Sequence, residues 1–140
     1  LKRGFMTLVA PDISEVTLLK LIVNKQSNGN LLLKLFDNDI TPGESTPAPG
    51  AGPGPVETTG AGYSAITLTG SSWTVATSLG VTTAQYSAQT FTFTGSVDIY
   101  GYYITTSGGD LLWLERFSGA PYSLPITGGT ITITPKITLA

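Results

Sequence analysis
The chain has 140 residues, a formal charge of −2, 41% hydrophobic but only 11% charged side chains, and neither histidine nor cysteine. That excludes a disulfide framework, a thiolate metal site, a histidine base and a cysteine nucleophile, and seven scattered Lys and Arg form no groove to track phosphates. Polarity comes instead from Thr, Ser, Gly and Asn, the composition of sheets with one wet face, and so little charge favours surfaces covered by neighbours.

Residues 1–10 read as an N-terminal arm. Lys2–Arg3 followed by the run from Phe5 to Ala10 is too short for a signal peptide, and Met6 is a candidate first residue. Residues 11–26 read as the one helix. Asp12 and Glu15 have capping-box spacing, and Ile13, Val16, Leu19 and Val23, joined by Leu18 and Ile22, make a wide apolar stripe that ends at Asn28-Gly29-Asn30. Such a helix either closes one end of a β core or docks on a partner.

Leu31 to Ile40 is apolar enough for a buried strand. Residues 42–62, PGESTPAPGAGPGPVETTGAG, then break the pattern. Proline lacks the donor and glycine raises the ordering cost, so the segment is expected either as a disordered loop or as an arm that orders against a neighbouring subunit.

From Tyr63 onward, through residue 140, the chain reads as a β core. Tyr63–Thr69 and Trp73–Ser78 alternate, and Thr90–Thr105 is a long strand that bends at Gly95 and Gly101. Ser107-Gly108-Gly109-Asp110 turns into Leu111–Phe117. Ile131, Ile133, Ile137 and Leu139 alternate with Thr132, Thr134, Lys136 and Thr138, with Pro135 marking an edge or bulge. The expected fold is one mainly β domain over 1–140, an antiparallel β-sandwich or jelly roll with one N-terminal α-helix.

Motifs for chemistry are missing. There is no Gly-x-Ser-x-Gly elbow, and the glycines of residues 50–62 are interleaved with prolines that delete the donors of a phosphate cradle. Asp37-Asn38-Asp39 with Glu44 has a faint calcium-loop character but lacks the glycine and distal Glu, and reads as a solvated turn. Glu115 and Arg116 fall on opposite faces of a strand and pair with different neighbours; Asp98 with Glu115 has no motif behind it. No enzyme activity, cofactor or metal is expected. Tyr100, Tyr102 and Tyr103 lie on one strand and Trp113 and Phe117 on the next: either Trp113 and Phe117 anchor the core, or the tyrosines, with Trp73, form an exposed platform for sugars or a subunit.

Three segments carry a resemblance: Ile99-Tyr100-Gly101-Tyr102-Tyr103-Ile104-Thr105, Leu112-Trp113-Leu114-Glu115-Arg116-Phe117 and Thr134-Pro135-Lys136-Ile137-Thr138-Leu139. With the Pro-led helix at Pro11–Val23 and the pattern Phe36, Asn38, Thr41, Pro42, they resemble small virion proteins of tailed bacteriophages. Residues 43–90 lie outside that likeness. The resemblance implies a non-enzymatic structural protein of the capsid surface, made in the host cytoplasm. Its role would be decoration (cement), with the major capsid protein and copies of itself, often trimers, as partners. Neck, tail or fibre is the alternative place in the virion, and a carbohydrate-binding module is the alternative of another class. Contacts are expected from Leu8, Val9, Pro11, Pro47, Pro49, Pro53, Pro55, Tyr100, Tyr102 and Tyr103, with no nucleic acid and no membrane involved.

Overall fold
A computed structural model describes residues 8–23, 25–27 and 29–139. Leu1–Thr7 of the expected arm and Asn28 of the expected helix stop lie outside them. In chain order the elements are α1 (Asp12–Ile22), β1 (Leu31–Phe36), β2 (Ile66–Leu68), β3 (Thr74–Ser78), β4 (Val81–Gln85) and β5 (Gln89–Phe93). There follow β6 (Val97–Ile99), β7 (Gly101–Thr105), β8 (Leu111–Arg116), β9 (Tyr122–Leu124), β10 (Gly129–Ile133) and β11 (Lys136–Leu139). Strands hold 40% of the described residues and helical turns 11%, so the expected mainly β class, an antiparallel sandwich with one helix, is what forms.

One layer is the sheet β2-β1-β7-β8, antiparallel throughout. Both of its faces are covered, which is why LLLKLF of β1 and GYYIT of β7 read as near-continuous apolar runs rather than alternations. The opposing layer is the ribbon β5-β10, where Phe91, Phe93, Ile131 and Ile133 point inward against Leu33, Leu35, Tyr102, Ile104 and Trp113. Its other face is wet and lined with threonine, and the Thr90 and Thr132 hydroxyls meet at 2.9 Å. Tyr63 stacks on Phe91 and Phe93. A smaller core of Phe36, Tyr103, Leu111 and Leu114 fills the back of the first sheet under Val9 and Ile40.

Two expected strands are broken up. The stretch 90–105 becomes β5, β6 and β7, with Gly101 opening the last of these. The final alternation splits at Pro135 into β10 and β11. The Pro135 carbonyl still accepts from Tyr86 N–H at 2.9 Å, but the proline has no donor to continue the ladder. Ile131 and Ile133 are buried as expected, whereas Ile137 is half-buried and Leu139 exposed. They belong to a separate sheet, β11-β4-β3, that projects beyond the sandwich.

The Pro/Gly segment is neither a disordered loop nor an extended arm, but orders against its own chain. It folds back through tight turns, Thr46 N–H to Gly43 O, Ala51 N–H to Ala48 O and Gly54 N–H to Ala51 O, each 3.0 Å. It then rejoins β1, where Thr58 N–H donates to Leu35 O and Asp37 N–H to Val56 O. The Asn38 carboxamide clasps it, donating to Gly54 O at 2.9 Å and accepting from Val56 N–H at 2.8 Å. Few donors remain in so proline-rich a stretch, and one side chain with both functions serves one of them and one carbonyl.

Candidate interaction surface
The apolar stripe of α1 faces water. Leu19 is 62% and Ile22 78% exposed, and Ile13, Val16 and Val23 are exposed beside them. The face turned to the body and packed on β8 instead carries Ser14 and Thr17, both buried, flanked by half-buried Leu18 and Leu21. Residues 14, 17, 18 and 21 share one side of a 3.6-residue helix, and 13, 16 and 23 share another. Periodicity alone finds two such faces and does not say which one docks; the small hydroxyl side chains win because they let the helix lie close to the strand. The expected capping box does not form. Pro11 is the N-cap, its carbonyl accepting from Ser14 and Glu15, while Asp12 is already helical and donates its N–H to Glu44 O at 2.9 Å.

The expected contact residues mostly turn inward. Tyr102 and Tyr103 are core residues, 5% and 1% exposed. The Tyr102 hydroxyl donates to Glu115 at 2.6 Å, and Tyr100 is half-buried with the Arg116 guanidinium over its ring. Trp73 is wedged edge-on between Tyr86 and Trp113. The tyrosine platform is therefore not formed: this strand lies in the middle of a sheet covered on both sides. Val9 pairs with Leu114 through hydrogen bonds of 3.0 Å in both directions, Leu8 is half-buried against the core, and Pro11 is buried. Pro55 is buried, Pro47 and Pro49 half-buried, and only Pro53 is exposed. Trp113 anchors the core and Phe117 packs at its rim.

Glu115 and Arg116 diverge as their strand positions require, Arg116 pairing with Asp39 at 2.6 Å and donating to Ile40 O. The acidic turn is thus taken up by structure, Asn38 on the loop and Asp39 on Arg116. Among the described residues no group of three His, Cys, Asp or Glu is gathered that could hold a metal ion, and no helix is long and apolar enough to cross a membrane.

A second exposed region lies on the projecting sheet. Every residue of β3 is exposed, as are Val75, Val81, Leu139 and, at the hairpin tip, Leu79. Val75, Ala84 and Ile137 stand in one row across the three strands. With Trp73, Trp113, Leu31 and Leu68 they line an open apolar cavity of about 280 Å³. Sequence reading missed this region, although one signal was available: no Asp, Glu, Lys or Arg occurs between Glu57 and Asp98.

Comparison with protein-family models, with curated proteins and with solved structures finds no match to this chain.

Proposed function
We propose that this chain is a non-enzymatic structural protein that attaches to a larger assembly through the outer face of α1. On the sequence resemblance, that assembly is a tailed-bacteriophage virion, with the chain decorating the capsid surface and the major shell protein as partner. The observation that carries the reading is the set of five aliphatic side chains, Ile13, Val16, Leu19, Ile22 and Val23, left in water on one short helix. Burying an aliphatic side chain is worth about 1.5–3 kcal/mol. A helix that docks its hydroxyl face and exposes its aliphatic one therefore suits recognition of an apolar groove. The rigid sandwich holds the helix at a fixed angle. Copies of the chain are the second partner.

The test uses Leu19→Glu and Ile22→Glu, at positions too exposed to disturb the core. Each should weaken co-sedimentation with purified shells of the presumed virus at least tenfold while the melting temperature stays put. Undiminished attachment would remove α1 from the account. Copy number in purified particles separates the two virion readings: parity with the shell protein means decoration, and a handful per particle means neck, tail or fibre.

A further inference from the structure
We infer that β3 is a self-pairing edge through which two copies of this chain join their projecting sheets across a two-fold axis. This goes beyond the proposed function and is independent of what α1 binds.

Free edges are ordinarily blunted by charge, proline, brevity or cover, because an open ladder pairs with any strand it meets. The edges of the four-stranded sheet and the far edge of the β11-β4-β3 sheet follow the rule. The outer edge of β8 is taken by Val9, β2 has only three residues, and β11 carries Lys136 directly after Pro135. β3 has none of these protections. Its sequence, TVATS, has five residues, no charge and no proline, and is entirely exposed.

The register identifies the occupant. β3 and β4 are joined by the two-residue turn Leu79-Gly80, both residues at positive φ, and Ser78 pairs with Val81 beside it. Pairs next to such a turn are hydrogen-bonded and alternate with non-bonded ones. Thr74, Ala76 and Ser78 therefore aim their backbone groups at β4, while Val75 and Thr77 aim theirs at the free edge. An antiparallel copy that overlaps β3 along its whole length puts Ala76 opposite Ala76, Thr74 opposite Ser78, and Val75 opposite Thr77. The residues with unused N–H and C=O groups are then the ones that meet, and the small alanine sits on the axis. Continuing the same register carries Leu79, a fully exposed leucine in a left-handed conformation that favours Gly or Asn, to the level of the partner's Trp73. There it stands at the mouth of the apolar cavity. One contact thus accounts for an unprotected edge, a leucine at a turn tip and an open apolar hollow. Charge does not oppose it. The nearest ionic side chain in this sheet, Lys136, lies two strands away, about 10 Å.

The chain contains no cysteine, which makes the register directly testable in the full-length protein. Opposed residues of a non-bonded antiparallel pair lie about 4.5 Å apart at Cα, within disulfide reach. Ala76→Cys should therefore oxidise to a covalent dimer, while Thr83→Cys, its neighbour on the next strand of the same face, should stay uncrosslinked. By sedimentation the unmodified chain should have twice its chain mass. Ala76→Lys, an exposed position, should give a monomer with an unchanged circular-dichroism spectrum. Tryptophan emission should shift to longer wavelength in that variant, since both tryptophans line the cavity. An unmodified chain that sediments as a monomer or trimer, or equal crosslinking at positions 76 and 83, overturns the inference.

Discussion
Gly101 shows how one missing side chain sets the course of the sheet. It sits between Phe36 on β1 and Arg116 on β8. A Cβ placed there would run into the Glu115 carbonyl oxygen and come within 2.6 Å of the Phe36 ring. Both obstacles are fixed, one by the ladder and the other by full burial, so neither can yield cheaply. Gly101→Ala should lower the free energy of unfolding by about 1–3 kcal/mol, read from the urea midpoint. A loss below a few tenths would mean that the two strands can part there. In the sequence this glycine marks a bend; its real reason is the close approach of neighbours on both sides, which no local pattern records.

At the level of elements, the Pro/Gly segment depends on the Asn38 clasp. Asn38→Ala leaves the Gly54 carbonyl and the Val56 N–H without these partners, which should cost about 1–3 kcal/mol. It should also open residues 47–54 to limited proteolysis, with cleavage there many times faster than in the unmodified chain. Equal cleavage rates would show that the turns hold themselves. How far elements could be read ahead depended on how local their causes were. The Thr/Ile alternation of β10 was legible because period two follows directly from the pleat. The helix was legible as an element but its orientation was not, since residues 13, 16, 19 and 23 and residues 14, 17, 18 and 21 are both plausible docking faces. The tyrosines of β7 read as contact residues and are instead buried, because burial of that strand on both sides depends on Val9 and on residues 36–40 returning behind it. The Pro/Gly segment read as a disordered loop or as an arm ordering on a neighbour because its anchors, Asn38 and Leu35, lie outside it.

Across the whole molecule, three phenols tie stability to alkaline pH. Tyr63, Tyr102 and Tyr103 are all pushed well above the usual tyrosine range, first by burial and then by carboxylates: Glu57 beside Tyr63, Glu115 beside Tyr102, and Glu57 and Asp37 near Tyr103. The Tyr63 hydroxyl accepts from Leu35 N–H at 3.2 Å and donates to Glu57 at 3.0 Å, and the same carboxylate pairs with Lys34 at 2.8 Å. A folded state that holds a proton more tightly than the unfolded chain is fully stabilised below the unfolded pKa, about 10 for tyrosine, and loses that contribution as pH rises above it. Stability should be flat through neutrality on this account and fall steeply above about pH 10. The tyrosinate absorbance of these three residues should appear together with unfolding rather than before it. Smooth ionisation of all six tyrosines in a still-folded chain would contradict the burial described here.

On the proposed docking, the outward-facing helix also bears on how quickly the protein would find its target. Its adhesive side chains sit on a helix that is already wound and fastened, at one end by Asp12 to Glu44 and just beyond the other by Gln26 to Asp110 at 2.9 Å. Docking then needs no coil-to-helix step and surrenders little chain freedom. Capture is limited by diffusion and by the orientation of a rigid body. On the same proposal an unengaged copy would be adhesive from the moment it folds, so the concentration of free copies, more than any conformational trigger, would decide when they begin to stick.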